Sequence, residues 1–272
     1  MKLINSSVDI VKPNGYTIND IYEQIELAGR TCYKSEDKIT DTSAKEFVDR
    51  MVKSGHNAML EHGTVYLLIP SNSQRSLDYN INKYSKCNYV LSEKDNTIAV
   101  TTNYRVLVEN NWLDDLQYLC EPTEYHTKRI TAKFICDRGV SHEFVRHRVF
   151  SFAQESTRYC NYSKDKFGNE LTFIIPSWES IYTANYNGIN NFDGDWFKDA
   201  LHNSEIYYFK LLELGWKPQQ ARAILPNALK TELVMTGFED DWNGFFKLRC
   251  TPQAHPDARK LALELQEKMI RL

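Results

Sequence analysis

The strongest constraint on the fold is the alternation of apolar and polar side chains in residues 129–139, RITAKFICDRG. Every second position from Ile130 to Cys136 is apolar, which is typical of a strand with one buried face. Segments with helical periodicity lie before and after this strand, at residues 17–33 and 195–215. Helices that outnumber the strands and mix with them along the chain predict an α+β protein, with a mixed sheet flanked by several helices.

Local signals predict several element boundaries. Ser43 and Glu46 have the spacing of a capping box at the start of a second helix, and Gly55 is its expected stop. Residues 97–110 are interpreted as one strand. Ser141 is interpreted as the N-cap of a helix that runs on to residue 150. Two further segments predict loops, at residues 91–97 and 184–195.

Composition limits the class of protein. The 272 residues carry a net charge of −3, which argues against a general nucleic-acid-binding protein, since those are normally basic. The six cysteines are widely spaced without a CxxC pair, as expected for reduced thiols. Residues 1–16 show neither a signal-peptide pattern nor a transit-peptide pattern. We therefore expect a single domain over 1–272, cytoplasmic, with no membrane and no nucleic-acid partner.

Residues 146–159, RHRVFSFAQESTRY, concentrate three arginines and one histidine in an otherwise slightly acidic chain. Clustered arginines repel each other, so the pattern indicates a bound anion, and the neutral surroundings favour a small ligand over a polymer. On a continuous helix, Glu143, Arg146 and His147 would share one face. A solvated face of ion pairs and an arginine clamp for a phosphate group are both compatible with this pattern.

The same segment has a longer recognisable pattern. Arg146-His147-Arg148, then seven residues, then Ser156, resembles the RHR-x7-S signature of the flavin-dependent thymidylate synthases, and SFAQESTRY is similar to the segment that follows it in that family. Upstream, GHNAMLEHGTVYLL is similar to the family's GH-x4-EH segment.

Two downstream segments extend the resemblance. ARAILPNALKTELVMTG is similar to the family's AR-x-x-LP segment, with Arg222 at the nucleotide-binding arginine. WNGFFKLRC is similar to its W-x-x-F-x-x-LR segment and contains Arg249. The similar segments occur in the family's order over residues 28–262, so the chain is identified as a member.

The resemblance implies an activity. Members of the family methylate dUMP to dTMP, with methylenetetrahydrofolate as the one-carbon donor and reduced FAD as the hydride donor, and NADPH usually reduces the flavin. They are homotetramers whose active sites combine residues from several subunits. The anions expected near the arginine cluster are then the nucleotide phosphate and the flavin pyrophosphate.

The resemblance also implies roles for particular residues. Arg249 is the implied catalytic residue, where a fixed guanidinium would stabilise charge that develops on the pyrimidine. The implied cofactor-binding residues are His62, Thr64, Arg146, His147, Arg148 and Gln154. The implied substrate-binding residues are Glu143, Arg146, Gln154, Glu155, Ser156, Thr157, Arg158, Arg222 and Arg249. Glu155 and Thr157 are expected to contribute backbone donors, and no metal site is implied.

The chain departs from the family in two places. Residues 71–128 form an apparent insertion between the segments that contain His62 and Arg146. The family often has an asparagine and an arginine that touch flavin just before the tryptophan, and here Phe238 and Asp240 stand there. Gly244 replaces a polar residue. These departures leave open a non-catalytic relative with a decayed flavin site.

Two unrelated hypotheses are weaker. A zinc hydrolase would rest on His56, Glu61 and His62, but the chain has no HExxH motif or second ligand group. An RNA-binding module would rest on the basic and aromatic content of 144–162, but the chain has no RNP-like motif. The other class of thymidylate synthase needs a Pro-Cys-His setting, and none of the cysteines has one.

Overall fold

The computed structural model describes residues 1–90, 96–178 and 192–272, with the backbone only for 192–194. Its strands are β1 Lys2–Ile4, β2 Ser7–Val11, β3 Thr64–Pro70, β4 Lys86–Tyr89, β5 Thr97–Asn103, β6 Arg129–Asp137, β7 Ser151–Gln154, β8 Thr172–Ile174 and β9 Lys230–Phe238. Its helices are α1 Ile18–Tyr33, α2 Ser43–Ser54, α3 Gln74–Ile81, α4 Tyr104–Asn110, α5 Arg138–Phe144, α6 Phe192–Glu213, α7 Pro218–Ala221, α8 Glu239–Arg249 and α9 Pro256–Ile270. The predicted loops at 91–97 and 184–195 lie mostly outside the described residues. None of the described helices is long and apolar enough to cross a membrane.

Four antiparallel strands form the central sheet, in the order β2-β6-β9-β7. β9 pairs with β6 over its whole length, from Lys230 opposite Asp137 to Phe238 opposite Arg129. On its other side β9 pairs with β7. Helices and sheets are mixed along the chain, which confirms the predicted α+β class.

The two faces of this sheet differ in chemistry because successive side chains of a strand point to opposite sides. The apolar face is defined by Ala132, Phe134, Cys136, Leu233 and Met235, which are all buried in one core with residues of α5, α8 and α9. The polar face is defined by Thr131, Lys133, Glu232 and Thr236, which lie at the alternate positions of the same strands. The predicted alternation in β6 is therefore confirmed.

Aromatic packing fixes α5 and α8 on the apolar face. Phe245 of α8 is fully buried, and its ring lies 5.1 Å from that of Phe144 on α5 and 6.5 Å from that of Phe134 on β6. Burying one such ring contributes about 1.5–3 kcal/mol. The ends of α5 and α8 are thus held side by side.

A second sheet, in the order β3-β5-β4, is built mostly from the residues predicted as an insertion. β4, β5, α3 and α4 all lie within 71–128, and they pack with α1 and α2 around a core that includes Leu67, Val100 and Leu107. Lys86 of β4 pairs with Asp240 of α8 at 2.7 Å, which joins this layer to the central sheet.

A third packing unit surrounds the parallel pair β1 and β8. α6 and α7 cover this pair through a cluster that includes Phe173, Leu201, Tyr208 and Leu229. This unit lies next to the end of β9, because Phe173 forms an isolated bridge with Leu229.

The predicted start and length of the helix before the arginine cluster are wrong. Asp137 caps α5, since its carboxylate accepts the Val140 N–H at 2.7 Å. The hydroxyl of Ser141 instead donates to the Arg138 carbonyl at 2.8 Å. The helix ends at Phe144, so the arginine cluster begins beyond it and the expected shared helical face does not form.

Two other boundaries differ from prediction. Ser43 lies inside α2 rather than capping it, and its hydroxyl donates to the Glu26 carboxylate at 2.8 Å. Residues 97–110 are a strand followed by a helix, because the side chain of Asn103 accepts the Val106 N–H and caps α4. The predicted stop at Gly55 is confirmed, at a φ of 71° that glycine adopts without strain.

Gly237 near the end of β9 allows the Phe150 ring to pack against the sheet. A Cβ at this position would lie 2.3 Å from Cδ1 of Phe150. We expect Gly237→Ala to lower the free energy of unfolding by about 1–3 kcal/mol, measured from urea unfolding, because the ring must shift in a packed core. Gly244→Ala is the control, since no atom lies within 4 Å of its added Cβ, and it should be neutral or slightly stabilising. Equal stability of Gly237→Ala and the wild type would contradict this account of the packing.

Candidate active site

Arg249, the last residue of α8, is held against the end of α5 by three hydrogen bonds. Its Nε donates to Nε2 of His147 at 2.9 Å, its Nη1 to the Glu143 carboxylate at 2.5 Å, and its Nη2 to the Glu143 carbonyl oxygen at 2.7 Å. These bonds fix the plane of the guanidinium. They leave two of its five N–H groups without a partner among the described residues.

His147 is neutral in this arrangement. Burial and then the charge of Arg249 lower the pKa of His147 to about 4. Because its Nε2 accepts the Arg249 N–H, the neutral ring carries its proton on Nδ1. His147 is therefore available as a hydrogen-bond donor through Nδ1. The structure thus brings together three of the predicted site residues: Glu143, His147 and Arg249.

The ion-pair interpretation of the arginine cluster is not supported. Glu143, the expected partner of Arg146, pairs with Arg249 instead. Arg146, Arg148 and Arg158 are exposed, and none of them forms an ion pair with a described residue. These three guanidinium groups are free to bind an anion.

The segment after β7 is tied to its surroundings at both ends. Gln154 donates to the hydroxyl of Ser141 at 2.8 Å, which places it on the side of the sheet that carries α5. The hydroxyl of Thr157, a buried residue, accepts from Arg222 Nη1 at 3.0 Å. The predicted nucleotide contacts Thr157 and Arg222 are thus joined directly, and the backbone N–H of Ser156 donates to the Cys32 carbonyl at 3.0 Å.

Glu155 does not have the geometry predicted for a substrate contact. Its carboxylate is buried and accepts from Lys230 at 2.8 Å and from the Tyr162 hydroxyl at 3.0 Å. Its backbone N–H, the expected donor, is already bonded to the Glu232 carbonyl at 2.8 Å. Glu155 therefore holds the segment in place instead of reaching a ligand, because the alternation of the strand turns it towards the polar face.

Three lysines compensate the carboxylates beneath this segment. Glu232 accepts from Lys230 at 2.6 Å, from Lys133 at 2.7 Å and from Lys34 at 2.8 Å. Burial raises the pKa of Glu232, but the three ammonium groups outweigh that effect and hold it well below its ordinary value. Glu232 thus stays ionised. None of these lysines is a predicted site residue. The alternate positions of Lys133 in β6 and Lys230 in β9 indicate a polar face, whereas Lys34 follows α1 and carries no such signal.

His62 lies under the polar face of the sheet, 1% exposed. Its Nδ1 is 2.8 Å from the Thr236 hydroxyl, which is in turn 2.8 Å from that of Thr131. Its buried Nε2 has no hydrogen-bond partner among the described residues. Burial and then the charge of Arg129 lower the pKa of His62 to about 3, against an opposing interaction with the Phe152 backbone.

Thr64 and Arg129 border a cavity of about 530 Å³ on the polar face. Arg129 donates to the Thr64 hydroxyl at 3.3 Å and to the Glu61 carbonyl at 3.0 Å. Arg129 was not predicted as a site residue. The one sequence signal for Arg129 is the alternation of β6, which places its side chain on the same face as that of Thr131.

The predicted site residues divide between the two sides of the central sheet. Glu143, His147 and Arg249 lie with α5 and α8 on the side of the apolar face. His62 and Thr64 lie on the polar face. One chain therefore does not bring the two sets together.

The zinc hypothesis has no geometric support. The described residues contain no group of three potential metal ligands. The ring of His56 is hydrogen-bonded to the Tyr33 hydroxyl at 3.0 Å, while that of His62 is bonded to Thr236.

Comparison with known proteins assigns the family. The family described as thymidylate synthase complementing protein matches residues 88–272, well over half of the chain. The chain belongs to this family. The matched range contains α5, the arginine cluster, Arg222 and Arg249, so all the elements on the α5–α8 side are family elements.

Named relatives of the family agree with this assignment. A flavin-dependent thymidylate synthase of Geobacter sulfurreducens is 30% identical over 47% of this chain and 50% of its own length. One from Pyrococcus furiosus is 31% identical over 49% and 51%. One from Corynebacterium aurimucosum is 26% identical over 88% of this chain and 72% of its own length. The matches to the first two thus span about half the length of each relative.

The buried His62 should make stability depend on pH. Its folded pKa of about 3 is below the ordinary value of 6.5, so only the unfolded chain binds a proton as pH falls below 6.5. The associated stability is complete above pH 6.5 and is lost towards pH 3. We expect the wild type to lose about 2 kcal/mol relative to His62→Asn between about pH 7.5 and pH 5, measured by urea unfolding. Above about pH 7.5 the difference between the two proteins should be constant, and an equal slope at all pH values would contradict this assignment.

Proposed function

We propose that this chain is a flavin-dependent thymidylate synthase that converts dUMP to dTMP, with methylenetetrahydrofolate as the one-carbon donor, FAD as the cofactor and NADPH as the reductant. The observation that carries the proposal is the fixed Arg249 guanidinium beside neutral His147, which is flanked in sequence by Arg146 and Arg148. Neither of these arginines has an ion-pair partner among the described residues. Family membership and the names of the relatives support the same activity.

The residues present fit a flavin and a nucleotide phosphate. Arg146 and Arg148 are exposed and unpaired among the described residues, as phosphate-binding arginines must be. Nε2 of the buried His62 has no hydrogen-bond partner among the described residues, and through this atom His62 would contact a ligand. Bound FAD would supply the hydride, and Thr64, His147 and Gln154 are proposed to hold and orient it with these residues.

Arg249 is proposed to stabilise the negative charge that develops on the pyrimidine ring. Its guanidinium is fixed by Glu143 and His147 before substrate binds, so no reorganisation is needed during the reaction. The two remaining N–H groups would bind a carbonyl oxygen of the uracil base of dUMP. Because Glu143 is engaged with Arg249, its role is to position that residue.

Gln154, Ser156, Thr157 and Arg158 are proposed to bind the nucleotide, together with Arg222. Ser156 would bind by its hydroxyl and not act as a nucleophile, since no described base bonds to it and its Oγ accepts the Arg158 N–H at 3.3 Å. Thr157 and Arg222, joined to each other, would set the width of the phosphate site.

The assembly is proposed to be a homotetramer with shared active sites. The separation of His62 and Thr64 from Arg249 by the central sheet supports this arrangement, because one copy cannot present both sets to one ligand. We propose a single catalytic domain over 1–272 in which 71–128 is an insertion, in a cytoplasmic protein.

A non-catalytic relative is the second candidate. Phe238 and Asp240, which stand where flavin contacts are common, are engaged by Lys86, through the ring of Phe238 at 4.8 Å and the carboxylate of Asp240 at 2.7 Å. Purified protein that releases FAD on denaturation would argue against this candidate, and protein that binds no FAD would favour it.

Arg249→Lys tests the proposed activity. We expect the turnover for dTMP formation to fall by about 10²–10³-fold, since lysine lacks the planar donors that stabilise developing charge. Oxidation of NADPH by the flavin should persist. Arg259→Lys is the matched control, because Arg259 bonds only to the Cys250 carbonyl nearby, and it should retain activity. Near-normal dTMP formation by Arg249→Lys would remove this residue from the mechanism.

A further inference from the structure

The cavity on the polar face has an amphipathic lining. Apolar residues that include Pro13, Leu27 and Val234 form part of its wall. The rings of Tyr16 and Tyr66 also line it, at a centroid distance of 5.7 Å from each other. Its polar lining includes the hydroxyl groups of Thr64 and Thr131, the cations Lys12, Lys128 and Arg129, and one acidic residue, Glu239, so cations outnumber the carboxylate. Such a lining suits a ligand with an aromatic ring and an anionic group.

Arg129 is the most buried of these cations. Burial lowers its pKa to about 10, so it remains charged at neutral pH. It forms no ion pair with a described residue. Two of the nearby carboxylates have other partners: Glu61 pairs with Arg105 at 2.5 Å, and Asp241 accepts the Phe238 N–H at 3.3 Å.

The donors of Arg129 are only partly used. Its Nη1 donates to Thr64 and its Nη2 to the Glu61 carbonyl, which leaves three of its five N–H groups without a partner in the described chain. A partly buried guanidinium without an ion-pair partner in the described chain is destabilising, and a bound anion would lower that cost.

Arg129 also lies next to a position where the family pattern is lost. Its guanidinium carbon is 5.6 Å from the centroid of the Phe238 ring, directly opposite it in the β6–β9 pair. Phe238 and Asp240 replace residues that commonly touch flavin. The arginine that the family often has at this place is absent from α8, and Arg129 on β6 provides a cation nearby.

We propose that this cavity binds the phosphate-bearing part of the flavin cofactor and that Arg129 is the cation that anchors it. The inference rests on the proposed function and extends it to a residue outside the family's recognised segments. The guanidinium fork and the Thr64 hydroxyl bind phosphate oxygens, Lys12 and Lys128 attract the anion at the rim, and Tyr16 or Tyr66 packs on an aromatic ring.

Binding measurements on the purified chain, stripped of flavin, test this assignment by the quenching of flavin fluorescence. Arg129→Met should weaken FAD binding roughly 10- to 100-fold, as expected for lost charge-assisted hydrogen bonds to a phosphate. Riboflavin, which has no phosphate, should bind the wild type and Arg129→Met equally. Arg129→Lys should be intermediate, because it keeps the charge and loses the fork.

Arg50→Met is the matched control, since Arg50 is exposed on α2 and stacks only on Phe47, at 5.8 Å. It should bind FAD like the wild type. The inference is overturned if Arg129→Met binds FAD as tightly as the wild type, or if it loses riboflavin and FAD to the same extent. If Arg129→Met does not fold, the FAD affinity of Arg129→Lys is the deciding measurement. An affinity equal to that of the wild type would contradict an anchor made by the planar guanidinium of Arg129. A folded wild type that binds no FAD would overturn the proposed function, and this inference with it.

Discussion

Hydrogen bonding of β9 between β6 and β7 determines which side of the molecule each functional residue faces. Antiparallel pairing with a side-chain period of two sends Met235 to the apolar face and Thr236 to the polar face. A slip of one residue would exchange the two sets and place Thr236 in the aromatic core. The apolar face therefore supports α5, α8 and the Arg249 cluster, while the polar face supports His62, Thr64 and the Arg129 cavity.

Ion pairs with lysines offset the cost of burying carboxylates on the polar face. Glu155 and Glu232 are 3% and 7% exposed, and Lys230 bonds to both. Removing one partner of a buried ion pair leaves an uncompensated charge, which is strongly destabilising. The network also anchors the start of the proposed nucleotide-binding segment, so the same lysine that balances the charges positions Ser156 and Thr157.

The sequence predicts the class, several elements and the Arg249 site, and physical reasons explain what it misses. β6 is recognisable because one face is apolar and the other polar, whereas β9 carries apolar residues on both faces and shows no clean alternation. Asp137 and Ser141 are both good capping residues. Only the hydrogen bond from the Val140 N–H to the Asp137 carboxylate shows which of them caps α5. Glu143 and Arg249 were predicted separately, but a contact across 106 positions has no signal in a single chain. Arg129 belongs to no recognised segment, and only the folded structure shows that its guanidinium forms no ion pair with a described residue.

The central claim is that the two sides of one chain serve different active sites in an assembly. A mixture of two inactive variants tests it most directly, with Arg249→Ala on one side of the sheet and Arg129→Glu on the other, co-assembled and assayed for dTMP formation at limiting FAD. If the sites are shared, the mixture should recover roughly a quarter of wild-type activity, because about a quarter of the sites draw both residues from unaltered positions. Activity no higher than that of either variant alone, in assemblies shown to contain both, would contradict the account.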